Sequence, residues 1–162
     1  MIHRLVLVAV AITTVACSTN ESSSTPDSTP QFSTTVPQPE EDGVLRFGLL
    51  IPQSGDGATL GEPLVAVANA AVRIINEAGG VLGNPVEYSP GDSGDTSTDT
   101  ASVTVDRLLS ENVDAIIGAA SSGVSLTVID KVASAGVVLF SPANTSPALS
   151  DYDDKGLYFR TA

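Results

Sequence analysis

From residue 44 to the end of the chain, short apolar runs alternate with longer stretches in which apolar residues recur every three or four positions. Short continuous runs suit buried strands, and the three-to-four spacing suits amphipathic helices. The run over 44–51 is rich in Val, Leu and Ile and stops at Pro52, which predicts a strand. Over 62–78, Leu64, Ala68, Ala71, Val72 and Ile75 share one helical side. Pro63 falls in that helix's first turn, where a missing N–H costs nothing. Gly79-Gly80 then supplies a natural end, since glycine takes left-handed backbone angles freely. A second strand is predicted over 86–89 and a polar loop over 92–98. Asp99 or a nearby Thr caps a helix reaching about residue 112, with Val105, Leu108 and Leu109 inward. A third strand covers 115–118. A third helix covers 122–135, with Val124, Val128 and Val132 on one face and Gly136 as its stop. Strands over 137–140 and 157–160 complete the series.

Single helices between successive strands demand right-handed crossovers, hence a parallel sheet covered on both faces. The predicted fold class is therefore α/β, a three-layer α/β/α sandwich. Open parallel sheets bind ligands beyond the carboxyl ends of their strands. Four loops leave those ends, over 52–61, 91–98, 119–122 and 141–150. After the third strand, Ala119-Ala120-Ser121-Ser122-Gly123 runs directly into a helix, whose free N–H groups and partial positive charge suit a carboxylate. After the fourth, Ser141-Pro142-Ala143-Asn144-Thr145-Ser146-Pro147 is stiffened by two prolines and carries polar groups that donate and accept. Two plainer alternatives stay open: Ser121-Ser122 as a helix cap, and Thr145 as a turn residue.

At 162 residues the chain holds one domain with a real core. Its formal net charge of −12 argues against nucleic acid or anionic lipid as a main partner, since both require clustered Lys and Arg. The single cysteine, Cys17, excludes an internal disulfide. A basic start ending at Arg4 precedes eight apolar residues over 5–12. That run is far short of the roughly 20 residues a membrane-crossing helix needs, and it has the layout of a secretory signal peptide over 1–16. Val15-Ala16-Cys17 resembles the lipobox of bacterial lipoproteins, with Thr14 where relatives usually carry Leu, Val or Ile. The resemblance implies a lipid on Cys17, and hence a membrane anchor. The block 17–42 follows. Between Ser18 and Asp42 it holds six Ser, five Thr, four Pro and five acidic residues without a Lys or Arg. That composition cannot bury enough apolar surface to offset chain entropy, so it is expected to be a disordered spacer.

Two stretches carry a wider resemblance: Arg46-Phe47-Gly48-Leu49-Leu50-Ile51-Pro52-Gln53-Ser54-Gly55, and Asn76-Glu77-Ala78-Gly79-Gly80-Val81-Leu82-Gly83-Asn84-Pro85-Val86-Glu87-Tyr88. Together they resemble the first lobe of a bacterial solute-binding protein of the leucine/isoleucine/valine-binding type. The likeness extends over 44–162 and implies the first lobe of a type I periplasmic binding protein over 43–162. It implies an extracytoplasmic subunit of an ABC importer. Such a subunit binds an amino acid, of branched-chain type, or a similar small polar solute, and docks on permease subunits. No cofactor, metal or covalent chemistry is implied. By the same resemblance, Ser122 takes the place of the hydroxyl that holds the ligand's carboxylate, with Ser121 beside it. Ala143, Asn144 and Thr145 take the place of backbone and Thr contacts to carboxylate and ammonium. Leu60 falls where some relatives set an aromatic against the ligand side chain. Asn144 replaces a small apolar residue, which makes the expected pocket more polar. Relatives also carry a loop disulfide, for which this chain has no cysteine. Phe159-Arg160-Thr161 resembles the crossing to a second lobe, so the chain is expected to be a truncated gene or a fragment.

Rival readings are weaker. Gly55-Asp56-Gly57-Ala58-Thr59-Leu60-Gly61 follows a strand, but its last Gly is one residue late for the dinucleotide-binding G-x-G-x-x-G. Asp92, Asp95 and Asp99 do not follow the calcium-loop spacing and are expected to be a solvated loop with a capping residue. The only histidine is His3, inside the predicted signal peptide, so no Ser-His or Cys-His nucleophile can be assembled. A receptor or sensor ectodomain with the same binding fold remains the other non-enzymatic alternative.

Overall fold

The computed structural model describes residues 41–162. The expected signal peptide over 1–16, Cys17 and the spacer as far as Glu40 lie outside the described residues. Five strands, β1 (Arg46–Ile51), β2 (Glu87–Asp92), β3 (Ala115–Gly118), β4 (Val138–Ser141) and β5 (Tyr158–Arg160), alternate with three helices. The helices are α1 (Gly61–Glu77), α2 (Thr100–Ser110) and α3 (Ser122–Ser134). The strands form one sheet in the order β2-β1-β3-β4-β5, with every pair parallel. This is the architecture that the strand–helix alternation predicts.

The core lies on one face of the sheet. There Leu50, Ile116 and Leu139 meet Val105 and Leu108 of α2 and Val124, Val128 and Val132 of α3, all buried. Gly48 lets α2 sit close, since a Cβ there would fall 2.6 Å from Leu108 Cδ1. The three valines foreseen for α3 all point inward, as do Val105 and Leu108, while Leu109 is half-buried.

The opposite face is only partly covered. The 20 residues Ala58–Glu77 are long and apolar enough to cross a membrane. As the crossover between adjacent parallel strands β1 and β2, however, α1 is a helix that lies on the sheet. Of the predicted stripe, Leu64, Ala68 and Val72 are half-buried, but Ala71 and Ile75 are exposed, as are Val67 (67%) and Ile74 (61%). The physical reason is that no second helix among the described residues stands beside α1. Register lines up Pro90, Leu49, Ile117, Phe140 and Phe159 in one row from β2 to β5. Phe159, at the far end of that row, is 51% exposed.

The join between α1 and β2 follows from its sequence. Gly79 and Gly80 take φ of +106° and +73°, and Gly80 N–H donates to Ile75 O at 2.9 Å. A Cβ on Gly80 would stand 1.9 Å from Asn84 O, so no other residue fits without movement. Leu82 and Gly83 both have positive φ, and Val81 and Asn84 exchange backbone hydrogen bonds of 2.8 and 3.0 Å, the geometry of a tight primed turn. Asn76 then clamps the returning chain. Its Nδ2 donates to Val86 O at 3.0 Å and its Oδ1 accepts from Val86 N at 2.7 Å.

β2 runs to Asp92, three residues past its predicted end. Pro90 would stop a central strand, but β2 is at the sheet edge, where the missing N–H breaks no ladder.

Candidate functional site

The loops beyond β1, β2, β3 and β4 gather at the carboxyl edge of the sheet. Asp92, the last residue of β2, joins the first two. Its Oδ1 accepts from the N–H groups of Gln53 (2.8 Å), Ser54 (3.1 Å) and Gly94 (2.8 Å), and its Oδ2 accepts from Ser54 Oγ (2.6 Å). Partial burial works to raise its pKa. The Ser54 hydroxyl and the N–H groups of Gly94, Gln53 and Ser54 outweigh that and hold it below the ordinary carboxylate value. Asp92 is therefore a joint between loops, not the solvated acid that the sequence suggested. Asp95 accepts from Ser97 Oγ and N–H at 2.5 and 2.8 Å and, more weakly, from Asp56 N–H at 3.4 Å. The Ser97 contacts hold its pKa low as well.

These loops enclose an open cleft of about 310 Å³, lined among others by Pro52, Leu60, Ser93, Asp95, Ala120 and Ser121. Two of the sequence-predicted residues, Leu60 and Ser121, thus share one cavity. Ser121 is the residue before α3. It has extended backbone angles, and its side chain makes no capping hydrogen bond. The plain-cap alternative is therefore not what the fold uses, and the first N–H groups of α3 face the cleft edge without a side-chain partner.

Ser122 meets the loop after β4. Its Oγ accepts from Thr145 N–H at 3.1 Å and from Ser146 N–H at 3.2 Å. With both lone pairs taken, that hydroxyl has only its proton left to offer, which makes it a fixed donor. The fold thus brings Ser122 and Thr145 into contact. The N–H groups of Ala143 and Thr145, expected to face a ligand, are engaged inside the protein, the first by Ser141 Oγ at 3.3 Å and the second by Ser122. Ala143 and Thr145 are exposed, and the Ala143 carbonyl and the Thr145 hydroxyl are acceptors without a partner among the described residues, but neither residue, nor Ser122, is among those lining the cleft.

Asn144 does not line the cleft. It is fully buried, and its amide is spent on the carbonyls of Ala119 and Ala120 and on the Tyr158 hydroxyl. Sequence reasoning passed over Ser93, Asp95 and Thr96 as cleft residues, although their place just beyond a strand's carboxyl end was a sufficient signal.

A model of the periplasmic binding protein family matches residues 44–161, the whole sheet and all three helices. The chain belongs to the periplasmic binding protein family. The Leu/Ile/Val-binding protein homolog 1 of Brucella abortus (strain 2308) is 32% identical over 117 residues, covering 70% of this chain and 30% of that protein. Among solved structures, the branched-chain amino acid transporter substrate binding protein LivJ from Streptococcus pneumoniae, in complex with isoleucine, is 32% identical with a TM-score of 0.63. It covers 72% of this chain and 33% of its own. An ABC transporter substrate-binding protein from Desulfitobacterium hafniense, in complex with Leu, is 27% identical with a TM-score of 0.60, covering 72% and 33%. This periplasmic binding protein chain therefore spans about a third of the length of its relatives.

Proposed function

We propose that residues 43–162 form the first lobe of an extracytoplasmic solute-binding subunit of an ABC importer, held at the membrane by a lipid on Cys17. The solute is an α-amino acid, with the branched-chain class first, captured by binding without covalent chemistry. The observation that carries this reading is the fixed donor at Ser122. Beside it stand the free N–H groups of α3's first turn, and together they suit a carboxylate. The Ala143 carbonyl and the Thr145 hydroxyl, a residue or two along the facing loop, are acceptors suited to an ammonium. Leu60 offers an apolar contact to a side chain across the cleft. The ligands and names of the similar proteins favour the same class. A second lobe would close over the solute by a hinge, and the closed form would dock on permease subunits.

A micromolar site is worth about 8 kcal/mol, so a lobe supplying half of that holds its solute near 1 mM. The test is a titration of the ¹⁵N-labelled chain with L-isoleucine, followed by amide shifts. The expected result is millimolar saturation, with shifts concentrated at 121–123, 143–145 and around Leu60. Micromolar affinity would contradict the half-site reasoning. Saturating shifts confined to other regions would refute the site.

A further inference from the structure

We infer that Asn144 is a positioning residue for the binding rim: its amide fixes the loop after β3 against the loop after β4, and Tyr158 orients that amide. Asn144 is 0% exposed. Its Nδ2 donates to Ala119 O at 3.0 Å and to Ala120 O at 3.1 Å, and its Oδ1 accepts from Tyr158 Oη at 2.9 Å. Both donor hydrogens and the acceptor are thus in use, so the amide has one orientation. Its backbone N–H donates to Ser141 Oγ at 3.1 Å, and that hydroxyl donates to Ala119 O at 2.8 Å. On the other side, Ala119 N–H donates to Ser125 Oγ at 3.2 Å.

The grip falls on Ala119 and Ala120, which lead directly into Ser121 and Ser122. The residues just after Asn144, Thr145 and Ser146, are those that donate to Ser122 Oγ. The two loops are therefore joined at two points, one behind the rim through Asn144 and one at the rim through Ser122. The rear joint sets where the front one falls. Asn144 is not itself among the cleft-lining residues but holds the backbone of one that is, Ala120, so it acts through its neighbours. What it does for solute affinity rests on the function proposed above, whereas its hold on the loops does not.

The experiment separates these. In the solute-free chain, Asn144→Leu keeps the branched outline of the side chain, though it is bulkier, and removes the three hydrogen bonds of the amide. Amide shifts should move at 119–123 and 145–146, and hydrogen-exchange protection should fall at Thr145 and Ser146, while α2 amides keep theirs. A residue that only stabilises the fold would lower protection evenly. Tyr158→Phe frees Oδ1 alone and should shift the same amides by less. It also decides the matter if Asn144→Leu fails to fold. Unchanged signals at 119–123 and 145–146 in the folded variants would overturn the inference. In a second arm, Tyr158→Phe should weaken the L-isoleucine response severalfold at unchanged α2 signals. If the unaltered chain gives no response to L-isoleucine, the solute reading fails, and the solute-free arm still decides the positioning role.

Discussion

Removing the Asp92 carboxylate tests whether the rim is held by one joint. In Asp92→Ala, four donors lose their acceptor: the N–H groups of Gln53, Ser54 and Gly94, and the Ser54 hydroxyl. Gly94 is buried, so its N–H is left without water, at about 1–3 kcal/mol. Gln53 and Ser54 are exposed and water replaces part of each bond, leaving about 0.5 kcal/mol apiece. The sum is a loss of about 3 kcal/mol, large against the 5–15 kcal/mol typical of a domain but short of abolishing the fold. Asp92→Asn keeps an acceptor for the N–H groups and forfeits only the charge, for about 1 kcal/mol. Urea denaturation at neutral pH, read at unchanged slope, measures both. The pH dependence has a fixed sign. The pKa of Asp92 lies below its ordinary 3.8 in the folded protein, so its contribution is complete above that value and fades as pH falls through and below it. Other acids behave alike, so the quantity to follow is the difference between the unaltered chain and Asp92→Asn. That difference should stay level from pH 7 to about 5 and shrink toward pH 3. A loss under about 1 kcal/mol for Asp92→Ala would refute the reasoning, because it would mean that Gly94 finds another partner.

Three further outcomes follow from the same geometry. Ser122→Ala deprives Thr145 and Ser146 of their acceptor and should cost about 1–2 kcal/mol by urea midpoint. It should also remove the L-isoleucine shifts at 121–123; shifts that persist at full size would count against Ser122 as the donor. Gly80→Ala forces a Cβ toward Asn84 O at positive φ, and a penalty of about 2 kcal/mol should lower the melting temperature by about 8 °C. An unchanged melt would show that the turn relaxes freely. The half-covered face should bind the dye ANS while the chain still unfolds cooperatively, which sets it apart from a loosely packed state. A cooperatively folded chain that leaves the dye dark would contradict the exposure of Val67, Ile74 and Phe159.

The order of elements and the parallel sheet were readable because short apolar runs and helical spacing are local signals. α3 matched to within a residue at its end. β2 was under-read because Pro90 carries opposite meanings at an edge and in the centre, and strand order is not written locally. The stripe on α1 was read correctly as apolar. Its exposure was not legible, since cover depends on what else lies against the sheet. At the site, the residue types of the two loops singled out the stretch where Ser122 meets Thr145. Which atoms would be free did not follow from types: Ser122 Oγ, the N–H of Thr145 and the amide of Asn144 compete for one another, and only the three-dimensional register decides who pairs with whom. Asp92 illustrates the same limit, since a loop acid and a four-bond joint have identical sequence signatures.

The half-covered face, with Val67, Ile74 and Phe159 exposed, belongs to a molecule with a formal charge of −12. Coulombic repulsion keeps such molecules apart while the oily face would draw them together. Repulsion reaches about 30 Å at 0.01 M salt but only about 8 Å at 0.15 M. In dilute buffer this polypeptide is thus a charge-stabilised colloid, and adding salt brings its sticky sides within range of each other.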